Sequence, residues 1–355
     1  MTTRPEAKEN KTTVRRESFS LPAYLAFAAV TVGTLFVCVS LGSVRIPLRE
    51  TVSLLWNAFL GRGTGEGLTS TIVFSVRLPR VLCVSLTGAA LSVCGAAMQG
   101  LLKNPLADGS TLGVSSGASL GAVISIAFGV TIPAVPLAGT MSMAMLFAFL
   151  SLVLILTLAY RLDGSLSTGT ILLVGVIYSM FVSSVLSLVI TFAPEKVQSI
   201  TFWTMGSLAG KNYTHVLVLL GAFAVCGGVL MGCARELNAF AVGEDNARHV
   251  GVNVRRVKLT VMIAVSALNG VCVSVGGTIG FVGLVTPHMV RFLTGPNHRR
   301  LLPASAFGGA VFLMLCDLLA RTLFDPRELP VGVVTSLIGS VLFVVIFIRT
   351  RRGRA

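Results

Sequence analysis

Charged residues are few in this chain. They make up 12% of its 355 residues, about half the roughly 25% usual in soluble domains. So small a charged fraction cannot cover the surface of a water-soluble fold, and a mean hydropathy of +0.86 excludes a disordered chain as well. Acidic residues are rarer still, 14 against 28 Lys and Arg. No H-E-x-x-H, no G-x-S-x-G and no pair of intramembrane aspartates occurs, so no enzyme constellation is present. The phosphate-binding pattern G-x-x-x-x-G-K-[ST] is also missing, and no polar stretch is long enough for a nucleotide-binding domain. Any energy from ATP must therefore come from another polypeptide. The seven cysteines, Cys38, Cys83, Cys94, Cys226, Cys233, Cys272 and Cys316, lie singly in apolar stretches. They read as small packing residues rather than a disulfide framework or a metal site.

What the chain has is long apolar runs. A helix needs about 20 apolar residues to cross a bilayer. Uncharged or nearly uncharged runs cover 18–44, 81–102, 109–160, 164–194, 212–234, 259–292, 301–324 and 329–348. The run 109–160 breaks at Thr131-Ile-Pro-Ala-Val-Pro136 and the run 259–292 at Gly276-Gly277, so each holds two spans. The expected fold is all-α and integral to the membrane, with ten transmembrane helices over residues 21–349. A cytoplasmic tail (1–20) precedes them and a basic tail (350–355) follows. The net charge of +14 would suggest nucleic acid in a soluble protein. In a membrane chain it reports orientation. With both termini inside, 19 of the 28 positive residues are cytoplasmic and nine are external. The first apolar run is too long for a signal peptide and is expected to remain as a span. The 37 glycines suit close helix packing in lipid. Thr111-Leu-Gly-Val114 and Thr278-Ile-Gly-Phe281 echo one another, as an inverted repeat would.

Three features carry candidate chemistry. Arg45, Arg49, Arg62, Arg77 and Arg80 fall in an external segment, against the orientation rule, and Arg321 and Arg327 emerge on the same side. They form either a cationic rim for an acidic partner surface or snorkelling contacts with lipid headgroups. The polar stretch Arg235–Lys258 holds Glu244 and Arg248 at i,i+4, with acidic residues first and glycines at both ends. This predicts a short surface helix over about 244–250, either a docking element or a structural loop. Asp317 is an acid inside a span. It serves proton coupling, with His288 as a conceivable partner, or it pairs with Arg321 one turn later.

Certain stretches also match a known family in order. They are Arg77-Leu-Pro-Arg80, Gly88-Ala-Ala-Leu-Ser-Val-Cys-Gly-Ala-Ala-Met-Gln99, Lys103-Asn-Pro-Leu-Ala107, Leu112-Gly-Val-Ser-Ser-Gly-Ala118, Phe202-Trp-Thr-Met-Gly206, Gly280-Phe-Val-Gly-Leu-Val-Thr-Pro-His288, His298-Arg-Arg-Leu-Leu-Pro303 and Glu328-Leu-Pro-Val-Gly-Val-Val-Thr335. From about residue 77 to 349 the chain resembles the FecCD-type permease subunits of ABC importers for iron–siderophore complexes, haem or cobalamin. The resemblance implies the ten-helix type II importer fold, a homodimer with a central pathway, and a place in a bacterial or archaeal cytoplasmic (inner) membrane. It implies two cytoplasmic ATPase subunits, which carry the ATP and Mg, and an external substrate-binding protein. This chain would then hold no cofactor and catalyse no reaction, and it would bind lipid but no nucleic acid. The family's docking arginines fall on Arg77, Arg80 and Arg321. Its ATPase-coupling helix falls on Gly243–Gly251, with Gly243, Glu244, Asp245, Ala247, Arg248 and Gly251 the contact residues. Its cytoplasmic gate falls on Leu166, Ser167, Thr168 and Gly169, and a pathway-lining span follows over about 169–191. The competing expectation is an ion- or proton-coupled secondary transporter using Asp317.

Overall fold

In a lipid core every backbone N–H and C=O must find its partner within the protein, and a run of apolar residues does so as a helix. The computed structural model describes residues 21–352, save 43, 45, 64–66, 131–135 and 165. The expected tail 1–20, Arg45, most of the break at 131–136 and the last residues of the basic tail lie outside them. Among the described residues the structure is all-helical. In chain order the helices are α1 (Leu21–Ser40), α2 (Leu48–Phe59), α3 (Leu68–Leu102), α4 (Val114–Phe128), α5 (Pro136–Leu162), α6 (Thr168–Phe192) and α7 (Val197–Thr204). Next come α8 (Tyr213–Gly232), α9 (Ala234–Val242), α10 (Glu244–His249), α11 (Val254–Gly276), α12 (Val282–Thr294), α13 (His298–Thr322) and α14 (Val331–Arg352).

Seven of these helices (α1, α3, α5, α6, α8, α11 and α13) are long and apolar enough to cross a bilayer, among the described residues. The stretches Val114–Phe128 and Val331–Ile346 are shorter apolar helices. The 13-residue α12 is about 20 Å long at 1.5 Å per residue, less than a hydrocarbon core of about 30 Å. Length and hydropathy together support seven spans among the described residues; α14 runs 22 residues, and the expected count of ten is not confirmed. α4 is bounded by left-handed Gly113 and Gly129, and α12 follows the break at Gly277 and carries Pro287.

α3 is the axis of the bundle. From Pro79 to Leu102 it is buried almost throughout, and it packs against α13 above all, then α12 and α11. Glycine permits this. A Cβ on Gly88 would overlap the Gly309 carbonyl, a Cβ on Gly309 would overlap that of Gly88, and one on Gly95 would overlap the carbonyl of Gly283. Backbones at such range gain the dispersion contact that drives association in lipid, where apolar side chains have no preference for each other over acyl tails. The helices around this centre are much less buried, α1, α6 and α8 especially. α3 begins well before the expected start near Val81, and its first turns pass through a π-helical stretch, Ile72–Arg77. Arg77 and Arg80 consequently lie within a helix rather than in the connection before it. All seven cysteines are free thiols, five of them buried.

Candidate functional site

The two ends of the bundle carry different polar clusters. At the end where α1 stops, Arg77 and Arg80 of α3 converge with Asp317 and Arg321 of α13. The C-terminal carbonyls of α1 lack intrahelical donors, and two guanidiniums supply them. Arg77 Nη1 donates to Val39 O at 3.0 Å and Ser40 O at 2.8 Å, and its Nη2 donates to Val44 O. Arg321 Nη2 donates to Cys38 O. Both groups lie over Gly42, where a Cβ would sit 2.7 Å from Arg77 Nη2 and 3.4 Å from Arg321 Nη1. Cations at a helix C-terminus also oppose its negative dipole end.

Asp317 is 1% exposed and holds this cluster together. Its Oδ1 accepts from Arg80 Nε at 3.1 Å and Nη2 at 2.9 Å. Its Oδ2 lies 3.3 Å from Arg321 Nε, an ion pair without hydrogen-bond geometry. Arg80 Nη1 also donates to Glu328 at 2.8 Å, and the Glu328 side chain is half exposed. The structure thus brings the three candidate docking arginines together but turns them inward, each less than 10% exposed. The pairing of Asp317 with Arg321 is present, with Arg80 as a second partner. His288 instead packs edge-on against Phe292 at 5.8 Å.

At the other end, α10 stands outside the long helices as a six-residue helix. Its last turn closes in a Schellman motif: Gly251 N donates to Arg248 O at 3.0 Å and Val252 N donates to Ala247 O at 3.0 Å. Gly251 takes φ +87°, the left-handed conformation this closure requires. Gly243, at φ +132°, separates α10 from α9, and Ala247 is buried against the bundle. The expected Glu244–Arg248 pair is replaced by two others. Arg248 meets Asp245 at 3.3 Å, both exposed, and Glu244 turns inward to Lys258 of α11. Lys258 Nζ lies 2.8 Å from each Glu244 carboxylate oxygen and donates to Leu166 O at 3.0 Å.

That last bond reaches the connection between α5 and α6. Leu166 is buried and left-handed, at φ +52°. Its N–H donates to Asp163 O at 3.0 Å. Ser167 N donates to Asp163 Oδ2 at 3.0 Å, and Ser167 Oγ caps α6 by accepting from Thr170 N at 3.3 Å. Thr168 is half-buried and Gly169 exposed. A Cβ on Gly169 would meet nothing within 4 Å.

Between the two ends an open cleft of about 500 Å³ is lined by Asp108, Ser110, Ser115, Asn269, Thr278 and Ser336 among others. The second half of the weak repeat lines it through Thr278, Ile279 and Gly280, and the neighbours of the first half, Ser110 and Ser115, line it too. Gly113 (φ +83°) precedes α4, and Phe281 (φ +68°) precedes α12. The left-handed residues are therefore one position out of register with the sequence echo. Sequence reasoning missed Lys258 and Glu328 as partners. A lysine in the second turn of an apolar helix was the available signal for the first.

A helical bundle built for lipid, with polar clusters at both ends and a cleft between them, is a multi-pass membrane transport subunit. The chain belongs to the FecCD transport family, which matches residues 30–349. It is similar to the ABC transporter permease protein YvrB of Bacillus subtilis (strain 168), 41% identical over 92% of this chain and 95% of that one. The cobalamin import system permease protein BtuC of Halobacterium salinarum is 37% identical over 92% of this chain and 86% of its own. A metal-chelate type ABC transporter in an inward-facing conformation superposes with a TM-score of 0.82 at 30% identity, covering 93% of this chain and all of that one. The chain is thus an ABC importer permease, which implies ATPase and binding-protein partners.

Proposed function

We propose that this chain forms the translocation pathway of an importer for iron–siderophore complexes in a bacterial or archaeal cytoplasmic membrane, working as a homodimer with both termini cytoplasmic. The observation that supports this most is the opposition of the two clusters. One end carries α10, a capped helix projecting from the bundle, suited to a cleft in an ATPase. The other carries buried arginines with one half-exposed carboxylate, Glu328, suited to exchange for a carboxylate of a binding protein. In this reading Arg77 and Arg321 hold the end of α1 in place, and Arg80 is the cation offered to the partner. The cleft has polar groups, and no group of three His, Cys, Asp or Glu that could hold a metal ion occurs among the described residues; in this reading the binding protein supplies specificity. A second copy completes the cleft into a pathway closed at the cytoplasmic end by Leu166–Gly169.

ATP and Mg belong to the partner ATPase. Its closure can move the permease only if it binds the inward- and outward-facing states with different affinity, and α10 is where that difference acts. A proton relay through Asp317 loses its support, because two guanidiniums already hold the carboxylate.

The test is reconstitution in proteoliposomes with the cognate ATPase and binding protein. ATP-dependent uptake of a radiolabelled ferric siderophore, above that of haem or cobalamin, is the expected result. A preference for haem or cobalamin would overturn the cargo. Uptake driven by a proton gradient without ATP would overturn the mechanism.

A further inference from the structure

Buried ammonium groups are costly unless their donors are satisfied, and Lys258 is 1% exposed. Its acceptors come from two segments that do not otherwise belong together. One is the Glu244 carboxylate on α10. The other is the Leu166 carbonyl, 92 positions away in the chain. Leu166 holds a backbone conformation that its Cβ disfavours, and that conformation aims its carbonyl at Lys258. Ser167 and Thr168 follow directly, and with them the first turn of α6.

We propose that Lys258 is the positioning residue that carries displacement of α10 to the α5–α6 turn. The proposal rests on the coupling and gate assignments above and adds the atom through which they communicate. While α10 stays in place, Glu244 holds the ammonium against Leu166 O and the left-handed turn persists. When α10 moves, the ammonium cannot keep both acceptors. If it follows Glu244, the Leu166 carbonyl loses its donor, the turn relaxes, and the start of α6 changes direction. If it stays, Glu244 loses its partner and α10 is pulled back. The two arrangements are discrete, as a coupling element requires. Arg248 and Asp245 pair with each other on the exposed face, so of the charged residues of α10 it is Glu244 that reaches inward, beside the buried Ala247.

The experiment measures cargo imported per ATP hydrolysed in proteoliposomes containing the complete complex. Three changes are compared: Lys258→Met, Glu244→Gln and the two together. Lys258→Met is expected to lower the import-to-hydrolysis ratio about tenfold, within the usual range for coupling between sites, with hydrolysis much less affected. The double variant is expected to be no worse than Lys258→Met alone, since both break one link. Independent, multiplying losses, or an unchanged ratio in Lys258→Met, would overturn the proposal. If Lys258→Met does not accumulate, Glu244→Gln is compared with the exposed-face control Asp245→Asn. A lower ratio in Glu244→Gln alone supports the link, and equal ratios refute it. Ala247→Asp, which drives a charge into the buried face of α10, tests the coupling assignment itself. If it leaves coupled import intact, the coupling reading fails. If it uncouples import while Lys258→Met does not, only the role of Lys258 fails.

Discussion

Replacing Asp317 by asparagine removes one negative charge and almost no volume. The side chain is 1% exposed and meets Arg80 at 2.9 and 3.1 Å and Arg321 at 3.3 Å. Asparagine can still accept from Arg80 through its amide oxygen. It offers Arg321 an NH2 group where an anion stood, and it leaves two guanidiniums against each other with Glu328 as the remaining carboxylate. Removing one partner of a buried pair costs about 3–5 kcal/mol. The half-exposed Glu328 can absorb part of this for Arg80, so the lower end, about 3 kcal/mol, is expected. The measurement is unfolding of the purified protein in mild detergent, followed by denaturant titration and thermal melting, next to ATP-driven uptake at several external pH values. Uptake per folded complex should keep its pH profile. Replacing the pair Asp317→Leu and Arg80→Met together, with Arg321 kept on the Cys38 carbonyl, should recover part of the loss, because the desolvation cost goes with the charges. A loss below about 1 kcal/mol in Asp317→Asn, the scale of exposed pairs, would refute the idea that this cluster braces the bundle. A shifted pH profile would return Asp317 to proton coupling.

Gly95→Ala places a methyl group on the Gly283 carbonyl and 2.7 Å from its Cα. α3 and α12 must part, at a cost of about 1–3 kcal/mol, read as a lower melting temperature. Gly251→Ala meets no neighbour within 4 Å, so its cost of about 1 kcal/mol comes from the left-handed backbone alone; amide exchange should rise in α10 and not in α3. Glu328→Gln weakens the internal competitor for Arg80 and is expected to tighten binding-protein docking by about 2- to 5-fold, the effect of an exposed ion pair of up to about 1 kcal/mol. Weaker docking in a direct binding titration would show that Glu328 itself meets the partner.

Much of the fold can be read from where charge is missing. The uncharged run 164–194 becomes α6 and the run 212–234 becomes α8, because helices are the way apolar runs satisfy their backbone in lipid. The short helix at 244–250 is also legible, since Gly243 and Gly251 mark its ends by conformation. What sequence reading misses depends on partners distant in the chain. Arg77 and Arg80 look like the outer limit of a span until Asp317, 237 positions from Arg80, allows them inside a helix that starts at Leu68. Glu244 looks committed to Arg248 at i,i+4 until α11 brings Lys258 closer and buries it, where a charge pair is screened less. α2 and α7 escape notice because they are short and flank the long apolar runs. The candidate arginines are legible as a group, but their inward direction is not, because it depends on the end of α1 lacking donors.

The arginine cluster also bears on how the protein is made. Arg80 is synthesised 237 residues before Asp317. At about 5–20 residues per second it waits roughly 10–50 s for its carboxylate. During that interval α3, the axis of the bundle, carries cations it cannot neutralise, while the helices that will pack around it are still being made. The bundle therefore has no finished charge pairing before α13 arrives, and a chain halted short of residue 317 lacks the carboxylate that Arg80 meets. The last third of the sequence completes the charge pairing of the first.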